Sequence, residues 1–386
     1  MTLRTRFLST TLAAAAVFAL SGPARAEQPP IKIGSFLAVT GPLSFVGDPE
    51  AKTLKLMVEQ INAAGGVLGR KIELHSYDSG GDARQAVSYA KRLIEQDGVD
   101  VIVGGSSSGE TLAVIPTVEE AEIPFISLAA ANAIVEPVKK WVFKIPHSYR
   151  MAVDKIFGDM QRRDLSKVGI IAGSGGADQD CRREAQGLAG KYGITIVADE
   201  TYAPSDTDMT PQLTRIRGSA GVQALLGCGS GAPTIITVRN YQQLGMQALP
   251  FYFQHGIGSR QFIDQAGAAA EGIRVPVPAL LVGEQLPAGD PQREPIASYD
   301  AAYGKAYNEP VSGFGGFAHD GLAITLAAIK TAGTSDKAKL RDAIEKTSGH
   351  VGVGGIFTMS PTDHMGLYAR SFKLVEIRNG AWKLME

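Results

Sequence analysis

Short apolar runs alternate with segments of helical periodicity along most of the chain, and this alternation is what most limits the fold. The first run, Ile31 to Leu37, is followed by Leu54, Val58 and Ile61 at helical spacing. Alternating strands and helices predict an α/β architecture with parallel sheets. The pattern restarts after about Pro146, so the 386 residues are expected to form two α/β units of similar size.

The same periodicity locates individual elements. The helix after the first strand is expected to begin at Asp48-Pro49-Glu50 and to end at Gly65-Gly66. A closing hairpin is expected from Ser371–Ile377 and Trp382. Further strands are expected at 71–78, 99–103, 125–127, 168–172, 194–197, 223–226 and 251–253, with helices at 82–96, 111–121, 294–307, 317–331 and 337–347.

Residues 1–26 have the pattern of a cleavable export signal. Arg4 and Arg6 precede an apolar stretch from Phe7 to Leu20, and Ala24-Arg25-Ala26 forms an A-x-A cleavage pattern. The stretch is short for a membrane span, and no later run reaches 18 apolar residues. The sequence therefore predicts a protein exported to the periplasm, which is an oxidising compartment.

Composition excludes several classes of protein and site. The chain has 38 basic and 39 acidic residues and a pI of about 6.6, whereas a nucleic-acid binder needs a basic face. No metal-binding spacing occurs, so we expect neither a metal nor a cofactor. Cys181 and Cys228 are too few for a disulfide scaffold. Separate buried thiols are the expectation, with a disulfide as the alternative in an oxidising compartment.

The segment Gly105-Ser106-Ser107-Ser108-Gly109 lies between a predicted strand and a predicted helix. It fits G-x-S-x-G, so Ser107 is a candidate nucleophile of a secreted serine hydrolase. Glu110 stands where a phosphate-binding loop has its Lys, which argues against a nucleotide site. We favour a non-catalytic interpretation, in which the loop and the helix start hold a ligand carboxylate. A solvated turn is the remaining alternative.

Several motifs resemble the periplasmic branched-chain amino-acid-binding protein family, the solute receptors of ABC importers. These motifs are Thr40-Gly41-Pro42-Leu43, Asn62-Ala63-Ala64-Gly65-Gly66-Val67-Leu68-Gly69, Tyr77-Asp78, Gly104–Ser108 and Ile123-Pro124-Phe125-Ile126-Ser127. The resemblance covers the whole chain after the signal. It implies a type I periplasmic-binding fold of two doubly wound α/β lobes joined by three hinge strands. Lobe I would comprise 27–147 and 276–352, and lobe II 148–275 and 353–386.

The family's ligand residues carry over only in part. In amino-acid binders, the Ser-rich loop and an Ala-x-Thr segment hold the ligand's α-carboxylate, and Ser107, Ser108 and Ala129 match that pattern. Ala131 stands where the Thr is usual. The apolar lining positions are matched by Phe45, Val46 and Phe314, and Gln179 completes the expected set.

Other positions depart from the family pattern. The Asp that usually meets the ligand's ammonium after the first hinge crossing is replaced by Tyr149-Arg150, and the Glu that completes the ammonium site is replaced by His255. A ligand-packing Tyr of the second lobe is absent around Gly229, which we expect to widen the cleft. A buried ammonium without a carboxylate partner costs several kcal/mol.

These departures predict a carboxylic acid ligand without an α-amino group, preferably aromatic. An aliphatic keto or hydroxy acid comes next, and an amino acid is the family's default. The resemblance further implies an ABC permease as partner and a monomeric chain. A sensor subunit that docks on a receptor and the serine hydrolase remain alternative functions.

Overall fold

The computed structural model describes residues 1–2 and 28–385, so the export signal falls almost wholly outside the described residues. The first half of the chain forms a parallel five-stranded sheet of order β2-β1-β3-β4-β5. We call the body around this sheet the first lobe. Its elements are β1 (Ile31–Leu37), α1 (Ser44–Ala63), β2 (Ile72–Asp78), α2 (Ala83–Arg92), β3 (Val101–Gly104), α3 (Ser108–Glu120), β4 (Phe125–Ser127) and β5 (Val142–Lys144).

A seven-stranded sheet follows, with the order β14-β13-β10-β9-β8-β6-β7. The body around it is called the second lobe. Its middle strands are parallel, whereas β13 runs antiparallel to both of its neighbours. The elements of this part of the chain are α4 (Tyr149–Arg162), β6 (Lys167–Gly173), α5 (Gly176–Leu188), β7 (Thr195–Tyr202), α6 (Thr210–Gly218), β8 (Ala224–Cys228), α7 (Ala232–Gln243), β9 (Phe251–Phe253), α8 (Arg260–Ala266) and β10 (Arg274–Pro278).

After β10 the chain returns to the first lobe before it completes the second sheet. Helix α10 packs along α1, and Phe357, Met359 and Leu367 join the apolar core that contains Ile31 and Leu37. The elements of this part are α9 (Arg293–Tyr307), α10 (Gly313–Ala332), α11 (Lys337–Glu345), β11 (His350–Val351), β12 (Ile356–Phe357), β13 (Phe372–Arg378) and β14 (Ala381–Leu384).

The chain thus passes between the two lobes three times, after β5, after β10 and before β13. This confirms the expected α/β fold class with two parallel-stranded sheets. Residues 274–278 and 372–384 belong to the second sheet. The lobe bounds given above from the family resemblance stay a proposal.

One predicted helix start is wrong. Helix α1 begins at Ser44 rather than near Asp48, and Pro49 lies inside it. The earlier start depends on Gly47, because a Cβ there would lie 2.3 Å from the backbone of Ala38. The missing side chain lets the first turn of α1 pack directly against the end of β1, which brings Phe45 and Val46 to that edge of the sheet.

The expectation of separate thiols is also wrong. Cys181 and Cys228 form a disulfide with a Cα–Cα distance of 5.6 Å, and both residues are fully buried. The pairing follows from topology: β6 and β8 are neighbours in the sheet, and α5 leaves the end of β6. The disulfide therefore fastens the middle of α5 to the end of β8.

Removing this disulfide, by Cys181→Ser with Cys228→Ser, is expected to lower the free energy of unfolding by about 2–4 kcal/mol. The open chain regains the entropy of a loop that spans 47 residues. Urea denaturation measures the loss, and reduced wild-type protein should show the same one. An unchanged unfolding midpoint in both would contradict a stabilising role for the disulfide.

Candidate functional site

A cavity of about 280 Å³ lies between the two lobes. In both sheets it sits at the carboxyl ends of parallel strands, which is where open α/β sheets bind ligands. The first lobe contributes the loops after β1, β3 and β4, and the second contributes those after β6, β8 and β9. Its lining includes Leu43, Phe45, Val46, Ser106, Ser107, Ser108, Leu128, Ala129, Ala130, Pro146, Tyr149, Gly175, Gly176, Ala177, Asp178, Ser230, His255, Gly256, Phe314 and Phe317.

Eight of the residues expected from the sequence line this cavity: Phe45, Val46, Ser107, Ser108, Ala129, Tyr149, His255 and Phe314. The rings of Phe45 and Phe314 meet edge to face, with centroids 5.7 Å apart. These two rings and Phe317 give one wall an aromatic surface, so the cavity suits an apolar ligand body.

Ser107 caps helix α3. Its hydroxyl accepts a hydrogen bond from the Glu110 backbone N–H at 3.2 Å, and its own N–H donates to the Glu110 carboxylate at 3.0 Å. This reciprocal capping box holds the loop against the helix. Among residues 28–385, no histidine hydrogen-bonds to Ser107, so the described chain gives this hydroxyl no base that would activate it.

Ser108 presents a hydroxyl whose proton is uncommitted. Its Oγ accepts a hydrogen bond from the Ala131 N–H at 3.2 Å. Within the described chain it donates to no acceptor, so the hydroxyl proton can point into the cavity. The first turn of α3 also directs backbone N–H groups and a partial positive charge to this place. Ser108 and the helix start can therefore bind an anionic group.

Two buried acids lie behind the Ser-rich loop. Ser106 donates to Glu50 at 2.5 Å and accepts from the Ala38 N–H at 3.0 Å. Burial raises the pKa of Glu50 well above its usual value, and burial likewise raises the pKa of Glu110. Both acids are hydrogen-bonded to serines of this region, so they fix the loop and do not face the ligand space.

His255 and Tyr149 form a neutral corner of the cavity. Their ring centroids are 5.1 Å apart. Burial, together with the nearby charge of Lys144, lowers the pKa of His255 to about 3. Its Nδ1 is buried and has no hydrogen-bond partner among residues 28–385. At neutral pH this corner therefore carries no charge.

Lys144 lies behind the same region, fully buried. Its ammonium donates to the carbonyls of Ala130 at 3.2 Å and Pro146 at 2.8 Å, and both of these residues line the cavity. Burial lowers its pKa to about 7. The charge that Lys144 retains favours an anion over a cation in the cleft.

Four expected residues lie outside the cavity. Arg150 was a candidate to face the cleft, with a solvent-facing position on a helix as the equal alternative; it is half exposed and pairs with Glu136 at 2.8 Å and Glu184 at 2.9 Å. The Gln179 amide donates to the Gly173 carbonyl at 2.6 Å. Ala131 contributes only its backbone N–H, to Ser108.

Gly229 is the fourth, and the space beside it is not open to the cleft. A Cβ on Gly229 would lie 2.1 Å from the hydroxyl of Tyr202. Tyr202, at the end of β7, therefore fills the space that a side chain at residue 229 would occupy. Gly229 is small because a tyrosine from elsewhere in the sheet packs against it.

The sequence analysis missed Asp178, which lines the cavity from the first turn of α5. Its side chain is buried, and Ser230 Oγ donates to its Oδ1 at 3.2 Å. Burial raises the pKa of this carboxyl to about 7, although the bond from Ser230 opposes the rise. The sequence feature that could have indicated Asp178 is its position just after the carboxyl end of a parallel strand, where ligands bind in open α/β sheets.

Two classes of feature are absent from the described part of the chain. Across residues 28–385, no group of three or more His, Cys, Asp and Glu side chains could hold a metal ion. In the same range no helix is long and apolar enough to cross a membrane.

The sequence of this chain matches a known protein family. Residues 30–381 match the family model described as periplasmic binding protein. The chain belongs to the periplasmic binding protein family. Its relatives include proteins named for binding leucine, isoleucine and valine. This confirms the family resemblance that the sequence motifs indicated.

Relatives from two organisms are similar over most of their length. A leucine-, isoleucine-, valine-, threonine- and alanine-binding protein of Pseudomonas aeruginosa is 26% identical over 360 residues, which is 91% of each chain. Leu/Ile/Val-binding protein homolog 3 of Brucella melitensis is 26% identical over 330 residues, covering 84% of this chain and 85% of the relative.

Solved structures show the same architecture. An extracellular ligand-binding receptor from Rhodopseudomonas palustris HaA2 superposes with a TM-score of 0.86 at 28% identity, covering 93% of this chain and 100% of that one. The branched-chain amino-acid-binding protein LivJ of Streptococcus pneumoniae, in complex with isoleucine, gives a TM-score of 0.79 at 25% identity, covering 92% and 99%. The fold is that of these type I binding proteins.

The buried Asp178 predicts a specific dependence of stability on pH. Between pH 3.8 and about 7, the folded protein keeps a proton on Asp178 that the unfolded chain has lost. The free energy of unfolding therefore falls as the pH rises through that window, by about 1.4 kcal/mol per unit. Asp178→Asn removes the charge and should stabilise the ligand-free protein by up to about 4 kcal/mol at pH 8, and by little at pH 4.

Urea denaturation of wild type and variant at both pH values measures this difference. Asp264→Asn is the matched control, because Asp264 is an exposed carboxylate of the same lobe, and its ion-pair partner within residues 28–385 is Arg260. Equal free energies of unfolding for wild type and Asp178→Asn at pH 8 would show that burial does not raise the pKa of this carboxyl.

Proposed function

We propose that this protein is the extracytoplasmic solute-binding component of an ABC importer. In this proposal residues 1–26 direct export to the periplasm, and the closed protein delivers its ligand to the importer's permease in the inner membrane. The family membership and the two-lobed relatives support it. Binding and release require only movement of the lobes about the three crossings, so no catalytic residue is assigned.

The proposed ligand is a small carboxylic acid with an aromatic body and no α-amino group. Its carboxylate would meet the free hydroxyl proton of Ser108 and the backbone N–H groups at the start of α3. The aromatic body would pack between Phe45 and Phe314, which line the cavity on the first-lobe side. Phenylpropionate has these features.

The neutral corner at His255 is the observation that carries the proposal. An ammonium placed there would meet an uncharged imidazole, and Lys144 behind the wall would repel it. An ammonium taken out of water without a negative partner is strongly disfavoured. The same charge distribution favours a carboxylate.

A second candidate is an amino acid. Asp178 favours it, because this carboxyl faces the cavity and could pair with an ammonium. The relatives named for binding leucine, isoleucine and valine point the same way. The two candidates differ in one chemical group, so matched ligands separate them.

Calorimetry with matched pairs tests the proposal: phenylpropionate against phenylalanine, and the keto acid of leucine against leucine. Wild type should bind the member without the amino group at least tenfold more tightly. Ser108→Ala should weaken both members alike by roughly 10- to 100-fold, because a hydrogen bond to a charged group contributes about 1.5–3 kcal/mol. His255→Glu should move the preference toward the amino form, because it supplies the missing negative charge.

His255→Gln is the control for that variant, since it changes the shape of the side chain without adding a charge. Its preference should remain that of wild type. Tight binding of leucine, valine or phenylalanine by the unmodified protein would contradict the proposed ligand class and restore the amino-acid candidate.

A further inference from the structure

The Asp178 carboxyl lines the cavity, but the ligand proposed above has no group that binds it. We propose that the Asp178 carboxyl binds a hydroxyl group of the ligand, so that the transported acid is a hydroxy-substituted one. This inference rests on the proposed function and adds to it a second polar contact, made by the second lobe. Asp178 does not stand at either acidic position of the family, which are occupied here by Tyr149-Arg150 and His255.

The carboxyl sits in a space made for it at the ends of three neighbouring strands. Strands β8, β6 and β7 are adjacent in the sheet, and they end at Cys228, Gly173 and Tyr202. A Cβ on Gly173 would lie 2.1 Å from Asp178 Oδ2. The glycine therefore allows the carboxyl to lie against the end of β6, from where it faces the cavity.

Within the described chain, only one of the two oxygens of this carboxyl accepts a hydrogen bond from the protein. Ser230 donates to Oδ1 at 3.2 Å, which is long for a bond between two oxygens. Within residues 28–385 no side chain or N–H donates to Oδ2. Its neighbours in the cavity wall, Gly175, Gly176 and Ala177, carry no polar side chain. This oxygen is open to the cavity, so a ligand group that donates a hydrogen bond can replace the water it meets in the free protein.

The surroundings favour a hydroxyl over an ammonium as that partner. No cationic side chain in the described chain pairs with Asp178, and burial favours its protonated form. A hydroxyl both donates and accepts, so it satisfies the carboxyl in either protonation state. An ammonium can only donate, and it forms an ion pair only with the charged carboxylate, so its binding must also offset the cost of ionising a buried carboxyl.

The contact also places the two ends of the ligand on different lobes. Ser108 follows β3 of the first sheet, and Asp178 follows β6 of the second. A ligand with a carboxylate at Ser108 and a hydroxyl at Asp178 makes one polar contact with each lobe. Such a ligand favours the closed state through both contacts.

Isothermal calorimetry at pH 7 tests this inference with four probes: 3-phenylpropionate, its 3-hydroxyphenyl and 4-hydroxyphenyl forms, and 3-phenyllactate. Wild type should bind at least one hydroxylated probe ten times more tightly than phenylpropionate. Asp178→Ala should abolish that preference. Asp178→Asn should keep most of it, because an amide still accepts and donates hydrogen bonds, and Asp264→Asn should bind as wild type does.

Four outcomes would overturn the inference. If wild type binds phenylpropionate as tightly as every hydroxylated probe, or if Asp178→Ala keeps the preference, the hydroxyl is not bound by Asp178 and the proposed function stands. If phenylalanine and tyrosine bind more tightly than the four acids, and Asp178→Asn loses them as fully as Asp178→Ala, the partner is an ammonium and the proposed ligand class fails too. If none of the four acids binds, both proposals fail.

Discussion

Burial of ionisable groups around the interlobe cavity determines which charges the cavity can accept. Lys144, His255 and Asp178 are each removed from water, and burial pushes each toward its neutral form. The imidazole is uncharged at neutral pH, and the carboxyl and the ammonium each titrate near 7. The cavity is therefore a nearly neutral, apolar space, and the start of α3 is the element that we propose binds the ligand's anionic group. A ligand must bring its own charge to that place and match the remaining polar groups.

Topology brings these groups together from distant parts of the chain. In each lobe the parallel strands end at the cavity, so every loop that follows such a strand can reach the ligand space. The disulfide joins Cys181 of α5 to Cys228 at the end of β8, and these are the helix that carries Asp178 and the strand that leads into Ser230. Across the cleft, the amide of Asn132 donates to Glu184 at 2.6 Å, and Arg150 joins Glu136 to Glu184. Arg150 thus contributes to contact between the lobes and not to the cavity.

The sequence was sufficient wherever local pattern decides structure. The bounds of β1 were predicted to the residue. The family resemblance, and not local pattern, led us to expect Phe45 and Ser108 in one site, and both line the cavity. Tertiary packing decided the rest. Tyr202 fills the space beside Gly229, and the two residues come from the ends of different strands. The sequence alone does not show that these two strand ends lie together. The same holds for Asp178 beside Ser230, since neither residue belongs to a motif. For Arg150 both alternatives stayed open, because helical periodicity alone does not show which face of α4 meets the acids of another element.

The central claim is that the two lobes close around one ligand held from both sides. Small-angle X-ray scattering tests it most directly, on the full exported chain with and without a saturating acid shown by calorimetry to bind. The two walls of the cavity come from separate lobes joined by three crossings, so ligand-bound protein should have a smaller radius of gyration and a narrower distance distribution. Identical scattering curves with and without a bound ligand would contradict the account.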